Sequence, residues 1–268
     1  MTRWQLGENG TAAYERYLVP AFFGRFAERL IELAAPTVGD RVVDVACGTG
    51  IVARQVAGRV GATGAIVGLD TNARMLEVAR AATAGIDPPI RWLTADAMEI
   101  PLADESADCV LCQQGLQFFA DRAAALREMR RILVPDGRLA LGVWRPIEHN
   151  PGFELLVGEL DRHAGREVGA IMRAPFSGPR ADELVDLVTV AGMRDVRLHI
   201  RVAEVRFPSP GDFLLQQAAA SPLGGPIAAL TDETRGALAR GVTEALRSYT
   251  DADGVVFPLE THIVTAVR

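Results

Sequence analysis

Between residues 41 and 144, short β-branched runs alternate with segments of helical periodicity, and that alternation constrains the fold most. Arg41–Ala46, Ala65–Asp70, Ile90–Thr94, Asp108–Gln113 and Arg138–Trp144 have the length and composition of buried strands. Ile51–Val60, Asn72–Ala84 and Arg122–Leu133 carry apolar residues at helical spacing, and Pro135-Asp136-Gly137 signals a turn. Strands alternating with helices predict an α/β fold with a Rossmann-like, doubly wound and mostly parallel sheet. In such sheets ligands bind beyond the carboxyl ends of the strands, where the strand order reverses.

The flanks follow other patterns. Residues 12–35 are helical with a break at Pro20, and predict an N-terminal helical cap over 1–38. Helical material at 151–192 leads to a strand at Arg194–Phe207, and the chain ends on the β-rich run Val255–Val267. Together these predict a seven-stranded sheet with a C-terminal antiparallel hairpin, in a domain spanning 39–268. The helical insert between the last two strands, about 208–252, is expected to form a lid above the site.

Composition narrows the chemistry. With 268 residues, 49% of them hydrophobic, the chain buries a core without disulfide or metal staples. All 28 basic residues are arginine, which excludes a lysine Schiff base and the lysine of a phosphate-binding P-loop. A net charge of −6 speaks against a nucleic-acid or anionic-membrane partner. The three cysteines form no disulfide framework and Met1–Gly10 lacks a signal-peptide pattern, so a cytoplasmic location is expected. The uncharged stretch Phe213–Thr231 is interrupted by Gln216, Gln217, Ser221, Pro222, Gly224, Gly225 and Pro226, and is not read as a membrane span. Cys109 and Cys112 fall on a strand, where an odd separation faces opposite sides, so no metal site is expected.

The cofactor signal begins at Asp44-Val45-Ala46-Cys47-Gly48-Thr49-Gly50, which joins the first strand to the first helix. Glycine there permits a tight turn and close backbone approach to a ligand. Gly48–Ala53 also fits the relaxed dinucleotide pattern, so an NAD(P)-dependent oxidoreductase is a rival reading. Asp44 weighs against it, since a carboxylate beside a pyrophosphate is repulsive, whereas beside a cationic ligand it is useful. Asp70 ends the second strand, where it can accept from ribose hydroxyls, and Asp96 follows the third, where it can accept from an adenine amine. On these residues, with Pro101-Leu102 and Leu133–Gly137, the chain resembles the class I S-adenosylmethionine (SAM)-dependent methyltransferases. It is most similar to the small-molecule branch of the ubiquinone/menaquinone C-methyltransferases, clearly over about 38–145. It departs at Ala46, where that family often has glycine.

The resemblance implies that Gly48 and Gly50 pass under the methionine moiety and that Asp44 supports the loop or the ammonium. It implies that Asp70 holds the ribose, that Thr71 and Met75 pack on the adenine, that Asp96 and Ala97 recognise its edge, and that Gln113 meets the methionine end. SAM would be the methyl donor and S-adenosylhomocysteine the product, with a small, fairly apolar acceptor of aromatic, quinone or natural-product type, as in secondary metabolism. A protein that keeps the fold and binds SAM without methyl transfer is a further alternative. For a base, His149 after the fifth strand comes first among the four histidines. Tyr14, Gln117, Phe118 and Trp144 are candidates for the acceptor site, with Phe153 and Phe213 beside them. The chain is expected to act as a monomer or homodimer.

Overall fold

A computed structural model describes Leu6 and residues 8–268, so the reading of Met1–Gly10 lies largely outside the described residues. The chain opens with α1 (Glu8–Ala13), a π-helical segment over Tyr14–Phe23 and α2 (Gly24–Ala34). The alternating part runs β1 (Arg41–Val45), α3 (Ile51–Val60), β2 (Ala65–Asp70), α4 (Ala73–Ala82) and β3 (Ile90–Thr94). It continues through β4 (Ala107–Gln113), α5 (Arg122–Ile132) and β5 (Leu133–Trp144). Then come α6 (Pro151–His163), α7 (Arg166–Arg173), α8 (Ala181–Val190) and β6 (Arg194–Phe207). The end comprises α9 (Pro210–Ala219), α10 (Gly224–Ala228), α11 (Asp232–Ala245), β7 (Thr250–Asp251) and β8 (Gly254–Val267).

The strands lie in the order β3-β2-β1-β4-β5-β8-β6, with β7 paired to β8. The pairs among β1 to β5 are parallel, as the alternation predicts. Arg145 N donates to the Glu260 carbonyl (3.0 Å) and Arg268 N to the Gly137 carbonyl (2.9 Å), so β8 runs antiparallel to β5. An eighth strand exceeds the expected seven. It is the two-residue β7, a hairpin arm on β8 that is too short to leave a pattern in sequence. Strand order reverses between β1 and β4, and the carboxyl ends of these two strands define the ligand crevice.

Two further differences have local causes. The expected break at Pro20 is instead a widened π-helical stretch. Proline lacks an N–H, and a wider turn absorbs the missing bond and the ring. The turn at Pro135–Gly137 lies within β5 as a bulge: Ala107 pairs with Leu133 and Cys109 with Arg138, and Asp136 has φ 63°.

The chain forms two compact units. One contains Gly24–Val143, Gly178–Arg201 and Thr261–Arg268. In it, Leu126 and Met129 of α5 and Leu184 and Val188 of α8 pack with Val110 and Cys112 of β4. Ala27, Leu30 and Ile31 of α2 pack with Val52, Ala53 and Val56 of α3 and with Cys109 and Leu111 of β4. Helix α2, expected in the cap, therefore belongs to the sheet unit. The two cysteines of β4 fall in different layers, one on each face of the sheet.

The other unit takes the described residues up to Phe23, Trp144–Ser177 and Val202–Glu260. Its interior is aromatic: Phe153 meets Phe22, Phe176, Phe213 and Phe257 with ring centroids 5.1–6.2 Å apart. Phe153 and Phe213 are buried core residues of this unit. No helix among the described residues is long and apolar enough to cross a membrane.

Candidate active site

The turn after β1 is shaped by left-handed backbone: Ala46 has φ 56°, Gly48 φ 54° and Gly50 φ 81°. An L-residue such as Ala46 pays about 1–2 kcal/mol for that conformation. At Gly48 a Cβ would meet nothing within 4 Å, so that backbone faces open space. At Gly50 a Cβ would collide with the indole of Trp92, which also lies across Gly68. Register explains this, because Trp92 on β3 is the direct partner of Gly68 on β2. Within the described protein, Gly50 is thus required by the Trp92 ring.

Asp44 is buried in β1, opposite Gly68 on one side and Leu111 on the other. Its Oδ2 accepts from Ala53 N in α3 at 3.2 Å, while its Oδ1 has no partner. Burial pushes the carboxyl up to about 8. Thr49 is also buried, with an unpartnered Oγ1.

Asp70 closes β2 half-buried, its Oδ2 accepting from Gly48 N (2.9 Å) and its Oδ1 from Asn72 N (2.8 Å). Burial raises its pKa, and these backbone donors oppose the rise. It is not the cap of α4, a role taken by Asn72, whose side chain accepts from Arg74 N. Instead it ties the end of β2 to the glycine turn. Thr71 is exposed and Met75 half-buried beside it. The Asp70 carbonyl accepts from Ala95 N at 3.1 Å, which brings the Asp96 loop alongside. Asp96 is exposed with Oδ1 on Met98 N (2.9 Å), no helix follows it, and Ala97 is buried.

After β4 the turn is held by side-chain amides. Gln113 ends the strand half-buried. Gln114 adopts φ 56°, donates its N–H to the Gly142 carbonyl (2.9 Å) and sends Nε2 to Thr261 Oγ1 (3.0 Å). Gln117, buried, donates Nε2 to Gln114 Oε1 at 3.3 Å, and Phe118 is 41% exposed. A Cβ at Gly115 would lie 2.6 Å from Ala46 Cβ, so this turn packs directly on the turn after β1. Trp92, Gln114 and Thr261 were not singled out from sequence. The doublet Gln113-Gln114 after an apolar strand was the one visible signal.

The remaining expected residues belong to the aromatic unit. Tyr14 stacks near Phe23 with centroids 4.8 Å apart, and buried Trp144 lies 5.9 Å from both Phe22 and Phe23. His149 is exposed, with Nε2 3.1 Å from Arg145 Nη2, and Arg145 also pairs with Glu260. A guanidinium only donates, so the Nε2 lone pair of His149 is engaged.

The donor set around the β1 and β2 ends is two carboxylates, a hydroxyl and a backbone turn open at Gly48. The Asp70 carboxylate next to an uncrowded turn fits a cationic, hydroxyl-bearing cofactor such as SAM better than a pyrophosphate. Comparison with known proteins agrees. A family profile described as a methyltransferase domain matches residues 43–141. Over 193 residues the chain is 32% identical to the ubiquinone/menaquinone biosynthesis C-methyltransferase UbiE of Pseudomonas savastanoi pv. phaseolicola, covering 68% of this chain and 74% of that one. It is 42% identical over 103 residues to the 2-phytyl-1,4-naphtoquinone methyltransferase of Thermosynechococcus vestitus, covering 38% and 45% of the two. The solved phosphoethanolamine N-methyltransferase 2 of Haemonchus contortus with S-adenosyl-L-methionine shares the fold at a TM-score of 0.62 and 17% identity, over 98% of this chain and 57% of that chain. Nothing among these matches supports hydride transfer. With the glycine turn, the two carboxylates and the extent of the UbiE match in hand, the chain belongs to the class I SAM-dependent methyltransferases and transfers the methyl group of SAM to a small molecule.

Proposed function

We propose that the acceptor is a small, fairly apolar aromatic molecule of quinone or natural-product type, methylated in the cytoplasm. The likeness to quinone methyltransferases supports the ring chemistry, and three buried free cysteines suit a reducing compartment. The observation that carries the cofactor assignment is Asp70, whose two oxygens are pinned by Gly48 N and Asn72 N at the mouth of the crevice. SAM supplies a methyl group already activated by its sulfonium, so the protein's main task is alignment.

In this reading Asp70 accepts from the ribose hydroxyls, Thr71 and Met75 flank the adenine, and Asp96 with Ala97 meets the adenine edge. Gly48 and Gly50 carry the backbone beneath the methionine portion, Ala46 shapes the bend, Asp44 supports the turn, and Gln113 meets the methionine end. Gln117 and Phe118 face the acceptor. His149 would have to give up Arg145 before taking a proton through Nε2.

The test is calorimetric titration with SAM and S-adenosylhomocysteine, with NAD and NADP as controls. The two sulfur ligands alone should bind, and Asp70→Ala should weaken them by about 1–3 kcal/mol through loss of charge-assisted hydrogen bonds. Unchanged affinity in Asp70→Ala would overturn the ribose placement.

A further inference from the structure

The amide chain behind the β4 turn has a direction that can be read from its far end. A backbone carbonyl only accepts. Thr261 Oγ1 lies 2.7 Å from the Val143 carbonyl and 3.1 Å from the His262 carbonyl, so its single proton is committed to a carbonyl. The hydroxyl can then only accept from Gln114, which must present its NH₂ (3.0 Å). That turns Gln114 Oε1 toward Gln117, which must in turn present its own NH₂ (3.3 Å). Amide orientations are otherwise ambiguous, but here each link is determined by the one before it. The chain ends on Gln117 Oε1, which is buried and has no partner.

Two features hold this arrangement rigid. Gln114 has φ 56° with its N–H on the Gly142 carbonyl, so its side chain leaves the strand toward Thr261 of β8. The Gln117 carbonyl accepts from Arg122 Nη2 at 3.3 Å, which anchors the backbone of the turn. All four members of the chain, Val143 included, lie in the sheet unit, on the β4–β5 side of the crevice.

We propose that Gln114 and Thr261 are positioning residues that orient Gln117 to offer a carbonyl oxygen, so the acceptor is selected by a hydrogen-bond donor, an O–H or N–H, on its ring. An acceptor bearing only carbonyl or ether oxygens meets a like-polarity oxygen at this point and is disfavoured. A ring donor gives the Gln117 oxygen the partner it otherwise lacks, whereas an ether leaves it unpaired. The inference rests on the aromatic-acceptor reading given above.

The experiment measures affinity of the S-adenosylhomocysteine-loaded protein for 1-naphthol and for 1-methoxynaphthalene, which differ by the donor. Wild type should hold 1-naphthol on the order of tenfold more tightly. Gln117→Leu should remove the preference by deleting the oxygen. Thr261→Val, nearly isosteric, should erode it by freeing Gln114 to reverse, whereas Thr261→Ser, which keeps the hydroxyl, should retain it. S-adenosylhomocysteine affinity and melting temperature, measured alongside, separate loss of the preference from loss of folding. A preference that survives in Thr261→Val overturns the relay, and one that survives in Gln117→Leu overturns the contact. Equal affinity of wild type for the two probes overturns the donor selection. Binding of neither probe overturns the aromatic-acceptor reading itself.

Discussion

The turns after β1 and β4 touch, yet they are built by different means. The first is backbone architecture: left-handed φ at Ala46, Gly48 and Gly50, with Asp44 and Asp70 accepting from main-chain N–H groups. The second is side-chain architecture, an amide chain from Gln117 through Gln114 to Thr261. Backbone geometry and carboxylates suit a cofactor shared by many enzymes, because they need only small residues and acids at set places. Side-chain relays suit an acceptor that differs between enzymes, because one substitution redirects them without disturbing the turn.

The contrast breaks most visibly at Gly50. Gly50→Val must fit a β-branched side chain at φ 81° against the Trp92 ring. A loss of about 3 kcal/mol or more is expected in urea unfolding, together with loss of S-adenosylhomocysteine binding. A loss below about 1 kcal/mol would show that the backbone-built turn is plastic after all.

Asp44 sharpens the electrostatic side. Its carboxyl is pushed up to about 8 by burial, whereas in the unfolded chain a carboxyl ionises near about 4. Its raised folded-state pKa therefore contributes stability that is full below about pH 4 and is lost as pH rises toward 8. The slope is up to about 1.4 kcal/mol per pH unit. Asp44→Asn should flatten this dependence in unfolding measurements of the unliganded protein between pH 5 and 8, leaving a residual slope from Asp70, whose pKa is also raised. Parallel slopes in the two proteins would mean that Asp44 folds ionised.

The smallest effect tests how the two turns are joined. Gly115 has an ordinary φ of −97°, so Gly115→Ala suffers from the approach of Ala46 Cβ above all, with Cys112 Sγ and Phe119 Cζ behind it. It should cost about 1–2 kcal/mol, and much of that should return in the Ala46→Gly background, where the opposing Cβ is gone. A double-mutant cycle with no coupling would show that the turns pack independently.

Much of the fold was legible locally. The β-branched runs, the helical spacing and the glycine turn depend on residues close in sequence, and they placed β1 to β5, α3 and α5 within a residue or so outside the β5 bulge. Asp70 and Asp96 were legible because an acid just after a strand lies at the carboxyl edge of any such sheet. The π-helical path through Pro20, the bulge at Pro135–Gly137 and the placement of α2 were not, since each depends on what the segment packs against. The same holds for Trp92, whose role comes from its pairing with Gly68 across the sheet.

By itself, the sequence determined the chain's class and its cofactor, because strand period, turn residues and acids at strand ends are short-range properties. Only the tertiary structure decided the direction of the amide chain. Gln114 meets Thr261 across 147 residues, and the polarity of Gln117 is inherited from the carbonyls that Thr261 faces. A hydrogen bond's direction is a property of the pair, and the pair exists only once β8 lies beside β5.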